Sequence, residues 1–516
     1  MSGWIRNSKN APRTAVSWNG SARIAEETIT SCVVNNGRMS ERSELFSQTL
    51  KHARRYLDGI ANRPVHATLT AMELRAILSA TSPLPDAGEP AAEVIGRLGA
   101  AGAKGTVASQ GPRFFGFVTG GSLPAATAAD WLVSTWDQNP GVFVLSPLIS
   151  VVEEAAAKWV RETAGLGEDW SVGFTTGCQM ASFTGLAAAR RHVLSAVGWD
   201  VESQGLFGAP PIDVVVGDEA HYTIFNALRL LGLGATRLRR VPTDDQGRMR
   251  ADELRSTLAG GTGPCIVCAQ AGNVNTGAFD PLDPIADAAR ERGAWLHVDG
   301  AFGFWAAAAP ARRHLVAGIH RADSIATDAH KWLNVPYDCG IVLTAHPMVH
   351  RQAMTTGAAY IVESPSERDP HEFVPEESRR GRAVPVYAAL RTLGRNGLAE
   401  LVERNCRLAA RMADRLRSDP RVTILNDVVL NQVLVRVSGA GGRDADAVTR
   451  DAIARVQADG TCWLGGTTWH GMGAMRISIS NWSTTDADVD RSADAILNAI
   501  EGVVPRSVEK SGDMDH

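Results

Sequence analysis

Residues 324–340, SIATDAHKWLNVPYDCG, decide how the rest of the chain is read. The opening residues make a strand, and three polar residues, Asp328, His330 and Lys331, crowd its end. Lys331 stands between a histidine and a tryptophan in a segment that otherwise reads as interior. A bare ammonium in such surroundings is costly and tends to lose its proton, which is how buried lysines become nucleophiles. Taken alone, the side chain reads as one that snorkels to the surface. The neighbouring sequence changes that reading.

Upstream, from about residue 150, strand-like and helix-like pieces alternate. DVVVG (213–217) reads as a buried strand, YTIFNALRLLGLG as a helix, and CIVCAQAG as the next strand. A helix through PIADAARERG, a strand AWLHVDG, a helix through RRHLVAGIHRA and the strand SIATDA follow. This order predicts an α/β domain with a large, mostly parallel sheet. Near residue 385 a long helical stretch leads into VTILND and NQVLVRV, the strands of a small C-terminal α+β domain.

Ligands of open α/β sheets sit beyond the carboxyl ends of the strands. Asp299 ends AWLHV, His221 follows DVVVGDEA, and His330 and Lys331 follow SIATD. Before them, GFTTGCQMASFTGLAAAR places Thr176, Gly177, Cys178 and Gln179 at a helix N-terminus, where free N–H groups and the helix dipole favour a phosphate. Pyridoxal 5'-phosphate would use all of these. Its aldehyde needs an unprotonated lysine, its pyridine nitrogen a carboxylate, its phosphate oriented N–H donors, and its ring a flat partner. Singly, each residue has a plainer reading as a cap or a satisfied core group; jointly, in this order at strand ends, they point to one crevice.

The stretches HVDGAFG, TDAHKWLNVPYDCG, GDEAHYT and AGNVNTGAFDP resemble the group II pyridoxal-phosphate-dependent amino-acid decarboxylases, which include aromatic-amino-acid and glutamate decarboxylases. The resemblance runs from about residue 45 to about residue 500. It implies the fold type I, or aspartate-aminotransferase-like, architecture, with Lys331 bonded to the cofactor aldehyde. It also implies Asp299 on the pyridine nitrogen, His221 on one ring face and Ala301 on the other. Asp328 and His330 would lie close to the cofactor, and Cys178 and Gln179 would contact its phosphate. Phe115 and Phe117, in GPRFFGFVTGG (111–121), fall in a segment like the family's substrate side. The family's sites lie at the subunit interface of a homodimer, so a homodimer is implied. Arg476, in GAMRISISNW, resembles the C-terminal-domain arginine of this fold, a partner for a substrate carboxylate.

Two departures from the family pattern stand out. Members usually carry Gly-Thr-Thr where this chain has Gly272, Asn273 and Val274, so an amide from Asn273 or Asn275 would replace a hydroxyl near the cofactor. Family decarboxylases also carry a loop tyrosine that protonates the α-carbon once carbon dioxide has left. The corresponding IVESPSERDPHEFVPEESRRGR holds no tyrosine, which leaves His371 or His221 as the acid. The expected activity is decarboxylation of an L-amino acid, with a lean towards an aromatic one. Related enzymes with phenylalanine at the tyrosine position are aldehyde synthases, so decarboxylation with oxidative deamination is the alternative. A non-catalytic scaffold with the same fold is a third reading, opposed by the retained Lys331, Asp299 and His221.

Composition agrees with a small-molecule enzyme. Among 516 residues, 52 Lys and Arg face 56 Asp and Glu, a formal net of −4 that offers no field for nucleic acid or anionic membrane. No apolar run reaches the ~18 residues of a membrane span, and the N-terminus has no secretory h-region, so the cytoplasm is expected. Cys265 and Cys268 form the one close cysteine pair, with no second pair to complete a metal site. The expected division is an extension over 1–38, with Met39 as the natural start, a helical segment over 39–110, and a large cofactor domain over 111–385. A small domain over 386–505 and a frayed tail over 506–516 complete it.

Overall fold

The computed structural model describes residues 40–355, 364, 366–439 and 442–504. The expected extension and frayed tail therefore lie outside the described residues. The chain divides into two compact units, one formed by the segments up to Leu57 and Ala71–Ala103, the other by Asp58–Thr70 and everything from Lys104.

The first unit is helical, with α1 (Glu41–Asp58), α2 (Ala71–Ile77) and α3 (Ala91–Gly105). Among its described residues it has almost no interior of its own. No residue of α1 or α2 is buried, and Phe46, Leu50, Leu84 and Leu98 are exposed. Where the helices meet they are close, since Gln48 Nε2 donates to the Ala92 carbonyl at 2.9 Å.

The second unit holds two sheets. Strands β1 (Ser171–Thr175), β2 (Asp213–Gly217), β3 (Arg239–Val241), β4 (Cys265–Gln270), β5 (Trp295–Asp299), β6 (Ser324–Asp328) and β7 (Gly340–Thr344) form the larger, in the order β1-β7-β6-β5-β4-β2-β3. Strands β3, β2, β4, β5 and β6 pair in parallel, while β7 runs antiparallel to β6 and β1. Every residue of β4, β5 and β6 is buried, as expected of continuous apolar strands covered on both faces. The chain passes outward from β2 to β3 and then returns to β4, so its direction across the sheet reverses between β2 and β4. Crevices form at such reversals.

After α4 (Pro124–Trp136), helices α5 (Pro147–Ala164), α6 (Cys178–Ser195), α7 (Tyr222–Leu230) and α8 (Leu282–Arg292) flank this sheet. Helix α6 approaches it closely: a Cβ at Gly185 would lie 3.2 Å from the His297 ring on β5. The helix expected through 312–322 is instead two 3-10 turns, Arg313–Val316 and Ile319–Arg321, separated by Gly318 at φ +88°. That left-handed residue ends one turn and starts the next.

Helix α9 (Ala383–Arg417) breaks at Gly394. Its first part packs against α4 and α5, whereas Leu408, Met412 and Leu416 enter a second core. That core lies on β8 (Val422–Ile424), β9 (Gln432–Val437), β10 (Gly465–Trp469) and β11 (Met472–Ser478), an antiparallel sheet in the order β10-β11-β9-β8. Helices α10 (Ala445–Asp459) and α11 (Asp486–Val503) cover it. The β10–β11 hairpin was not anticipated from the sequence, because glycine and threonine in GGTTW give a weak strand pattern.

Candidate active site

Lys331 lies in the short turn that carries β6 back into β7, where Asp328 pairs with Gly340. Its Nζ is 3.0 Å from Asp328 Oδ2. The same carboxylate is held on its other side. Its Oδ1 accepts the Cys178 N–H at 2.6 Å and lies 3.3 Å from His330 Nε2. The Cys339 N–H donates to His330 Nδ1 at 3.0 Å, which puts the proton of the neutral ring on Nε2, facing Asp328. The apolar surroundings of Lys331 were expected to keep its amine neutral. The structure corrects that expectation: burial does disfavour the charge, but Asp328, with a smaller contribution from Asp299, raises Lys331 above the ordinary lysine pKa. Sequence reading missed this because it counted apolar neighbours and not the carboxylate three residues away.

Asp299 is buried at the end of β5, with Oδ1 accepting the Ala301 N–H at 3.1 Å and the Cys178 thiol at 3.4 Å. Its Oδ2 takes no hydrogen bond from the described residues. Cys178 is the first residue of α6, and burial, reinforced by both carboxylates, holds its thiol well above the usual range. Gly177 caps the helix where a Cβ would lie 3.3 Å from the His330 ring and 3.5 Å from Asp328 Oδ1.

A cavity of about 600 Å³ opens here. Gly177, Cys178, Gln179, His221, Ala301, Asp328, His330 and Lys331 line it, as the sequence reading expected, with Arg476, Phe117 and Asn275 on further walls. His221 Nδ1 is 2.7 Å from Thr223 Oγ1, and burial, with the nearby Lys331 and Arg476 cations, lowers its pKa despite Asp299 and Asp328. The ring is therefore neutral at physiological pH.

Three expected residues are placed differently. Asn273 is off the wall, its Oδ1 accepting the Asn275 and Thr276 N–H groups of its own loop. Asn275 lines the cavity instead, its Oδ1 accepting from Thr467 at 3.0 Å. Phe115, 1% exposed, belongs to the second core, while Phe117, 63% exposed, stacks on Trp463 with centroids 5.3 Å apart. Phe117 and Val118 both have left-handed φ, +54° and +59°. Two consecutive residues of this kind store strain, which at a cavity lip fixes which side chain faces inward.

His371 is also absent from the lining. It lies in the 3-10 turn Pro370–Phe373, buried, with Nδ1 3.1 Å from the Gly141 carbonyl oxygen. Its segment is held down by Glu153 of α5, which receives Arg368 at 3.1 Å and Arg379 at 2.8 Å. His371, expected with His221 as a candidate acid, thus does not line this chain's own cavity.

Arg476 projects from β11, which pairs it with Gly465. Among the described residues its guanidinium meets no hydrogen-bond or ion-pair partner, and burial lowers its pKa below the usual arginine value. Thr467, Tyr222, Thr223, Val118 and Val274 complete the wall and were not singled out from the sequence.

The donor set suits pyridoxal phosphate. A lysine nitrogen faces the cavity, a helix N-terminus without a side chain at its cap offers N–H donors, and a buried carboxylate keeps one oxygen unpaired. The comparisons agree. The family model for the pyridoxal-dependent decarboxylase conserved domain matches residues 76–438. An aromatic-L-amino-acid decarboxylase of Bacillus atrophaeus is 27% identical over 362 residues, 69% of this chain and 73% of the relative. A 4-hydroxyphenylacetaldehyde synthase of Rhodiola rosea is 25% identical over 411 residues, 77% and 82% of the two chains. The crystal structure of Oryza sativa TDC with PLP and tryptamine superposes with a TM-score of 0.83 at 22% identity, covering 91% of this chain and 99% of that one. That structure shares the fold type I architecture.

The chain belongs to the pyridoxal-dependent decarboxylase family. It is a pyridoxal-phosphate-dependent amino-acid decarboxylase.

Proposed function

We propose that the cavity at Lys331 is the decarboxylation site and that its substrate is an L-amino acid with an aromatic side chain. The convergence of Lys331, Gln179, His221, Ala301 and Arg476 on one cavity carries this reading. When bound, pyridoxal phosphate supplies the electron sink for the bond broken at the α-carbon. Lys331 tethers it, Asp299 supports its ring nitrogen, the N-terminus of α6 with Gln179 receives its phosphate, and neutral His221 and Ala301 hold its ring. Asp328 and His330 orient Lys331. Arg476, charged and unpaired, receives a substrate carboxylate. Phe117 and Tyr222, at the cavity mouth, favour an aromatic side chain over a short polar one. With His371 outside the cavity, His221 is the candidate donor of the α-carbon proton. Incubating the enzyme with a panel of L-amino acids and assaying amine and carbon dioxide tests this; turnover of acidic substrates alone would refute the aromatic assignment.

One observation favours a second chemistry. No tyrosine occurs in residues 361–382, and a relative of this chain is named as an aldehyde synthase. Aldehyde with matching hydrogen peroxide, in place of amine, would establish it.

We further propose a homodimer in the cytoplasm. The helical first unit leaves Phe46, Leu50, Leu84 and Leu98 exposed, an apolar surface that a second copy would cover. Among the described residues no helix is long and apolar enough to cross a membrane. The division into a cofactor domain over 111–385 and a small domain over 386–505 is likewise proposed, supported by the two separate cores. Sedimentation equilibrium would report a dimer; a monomer that retains full turnover would exclude shared sites.

A further inference from the structure

We propose that Asp328 is a positioning residue that keeps Lys331 an ammonium whenever its nitrogen is not bonded to the cofactor, so that cofactor capture is gated by removal of one proton. The inference rests on the site reading above.

The geometry makes this carboxylate hard to displace. Oδ2 faces Lys331 Nζ at 3.0 Å, while Oδ1 is fixed by the Cys178 N–H at 2.6 Å and faces His330 Nε2 at 3.3 Å. The main chain of Asp328 is fixed as well, its N–H donating to Ala301 and its carbonyl accepting from the Trp305 indole, both at 2.9 Å. Rotation of the carboxylate would abandon its three donors together.

The other charged groups around Lys331 do not cancel this pairing. Asp299 comes from the end of β5 and adds a second negative charge. The Cys178 thiol, at the start of α6, is held neutral. His221 before α7 and His330 on the same turn as Lys331 are lowered by burial and uncharged at neutral pH. Arg476 from β11 is the opposing cation, against two carboxylates.

An amine attacks an aldehyde carbon only through its free electron pair, and water leaves as the new bond forms. The proton on Lys331 must therefore pass to solvent first, against the pull of Asp328. The same carboxylate occupies the first N–H of α6, where the phosphate is to be received, and so opposes the incoming anion too. Once Lys331 is released by a substrate amine, it takes up the proton that the substrate ammonium gave up in becoming a nucleophile, and Asp328 holds the ammonium so formed in place.

The test uses cofactor-free full-length protein. Acetylation of Lys331 by acetic anhydride, followed by peptide mass spectrometry across pH, reports the fraction of free amine. The wild-type midpoint is expected at or above the ordinary lysine value of 10.5, and Asp328→Asn should move it down by at least one pH unit, about a tenfold faster labelling at pH 8. Association of pyridoxal phosphate, followed by its visible absorbance, should accelerate in parallel. A wild-type midpoint below 10.5 would overturn the proposal, and so would superimposable profiles for wild type and a folded Asp328→Asn. The wild-type measurement decides even if the variant does not fold. Borohydride reduction of the holoenzyme separates the two readings: a pyridoxyl group absent from Lys331 refutes the site, whereas one present on Lys331 beside unaltered labelling profiles refutes only the role of Asp328.

Discussion

Arg379 meets Glu153 at 2.8 Å with both side chains fully buried. Arg368 reaches the other oxygen of Glu153, so one carboxylate of α5 fastens two points of the segment that follows residue 364. Removing one member of such a set leaves a buried charge without its partner. Glu153→Gln is therefore expected to lower unfolding stability by about 3 kcal/mol or more. Urea denaturation would measure it, and a loss below about 1 kcal/mol would show that water reaches the pair.

Asp299 tests the electronic part of the site. Asp299→Asn preserves shape but removes the charge proposed to support the ring nitrogen, and kcat should fall roughly 100-fold or more, with cofactor retained. An unchanged kcat would assign that role elsewhere.

Arg476→Met should raise KM far more than it lowers kcat. Losing one charge-assisted contact worth about 2 kcal/mol corresponds to roughly thirtyfold in KM. A fall in kcat at constant KM would mean that the guanidinium acts after substrate binding.

The two neighbouring phenylalanines should separate. Phe115→Ala empties a core site and is expected to cost about 3–5 kcal/mol of stability. Phe117→Ala loses a stacking contact worth about 1 kcal/mol and should change substrate preference instead. Thermal melts and KM across the amino-acid panel distinguish them.

Acid should destabilise the fold. Burial pushes His297 down to about 4 and His350 down to about 3, so between their ordinary value of 6.5 and those values the unfolded chain binds more protons. Stability then falls as pH falls, by up to about 1.4 kcal/mol per pH unit per histidine. Buried Asp280, raised from 3.8 to about 6, opposes this between those two values, since there the folded chain holds the extra proton. One carboxylate against two histidines leaves a net loss. Melting temperature should drop between pH 6.5 and pH 4, and the slope should halve or better in His350→Gln if that variant folds; a flat profile would mean that both rings protonate in the fold as readily as in water.

Much of the fold was legible because β2, β4 and β5 are short runs rich in β-branched and other apolar residues, which declare themselves without knowledge of their neighbours, and SIATD of β6 follows the same alternation of elements. Lys331, Asp299 and His221 were legible because each follows such a run. Glu153 left a fainter trace: it stands on the buried stripe of α5 with Ile149, Ala156 and Val160, an acid where an apolar residue belongs. Thr467 and Tyr222 left none, and the choice between Asn273 and Asn275 stayed open, since which loop residue faces a cavity depends on turns that residue type does not determine. That His371 stays off this chain's own cavity follows from packing against Gly141, more than two hundred residues earlier in the chain.

The lysine turn also rests on main chain. A Cβ at Gly120 would lie 1.8 Å from the Lys331 carbonyl oxygen, and one at Gly340 would lie 2.2 Å from the carbonyl carbon of Gly177. The part of the cavity that bonds and orients is thereby seated backbone against backbone, leaving no room for drift. The part that would select among amino acids, Phe117, Tyr222, Thr467 and Arg476, consists of separate side chains on separate elements. Substrate choice can consequently be rewritten one residue at a time while the chemistry stays in register, a division of labour that suits a single scaffold to descendants with different diets.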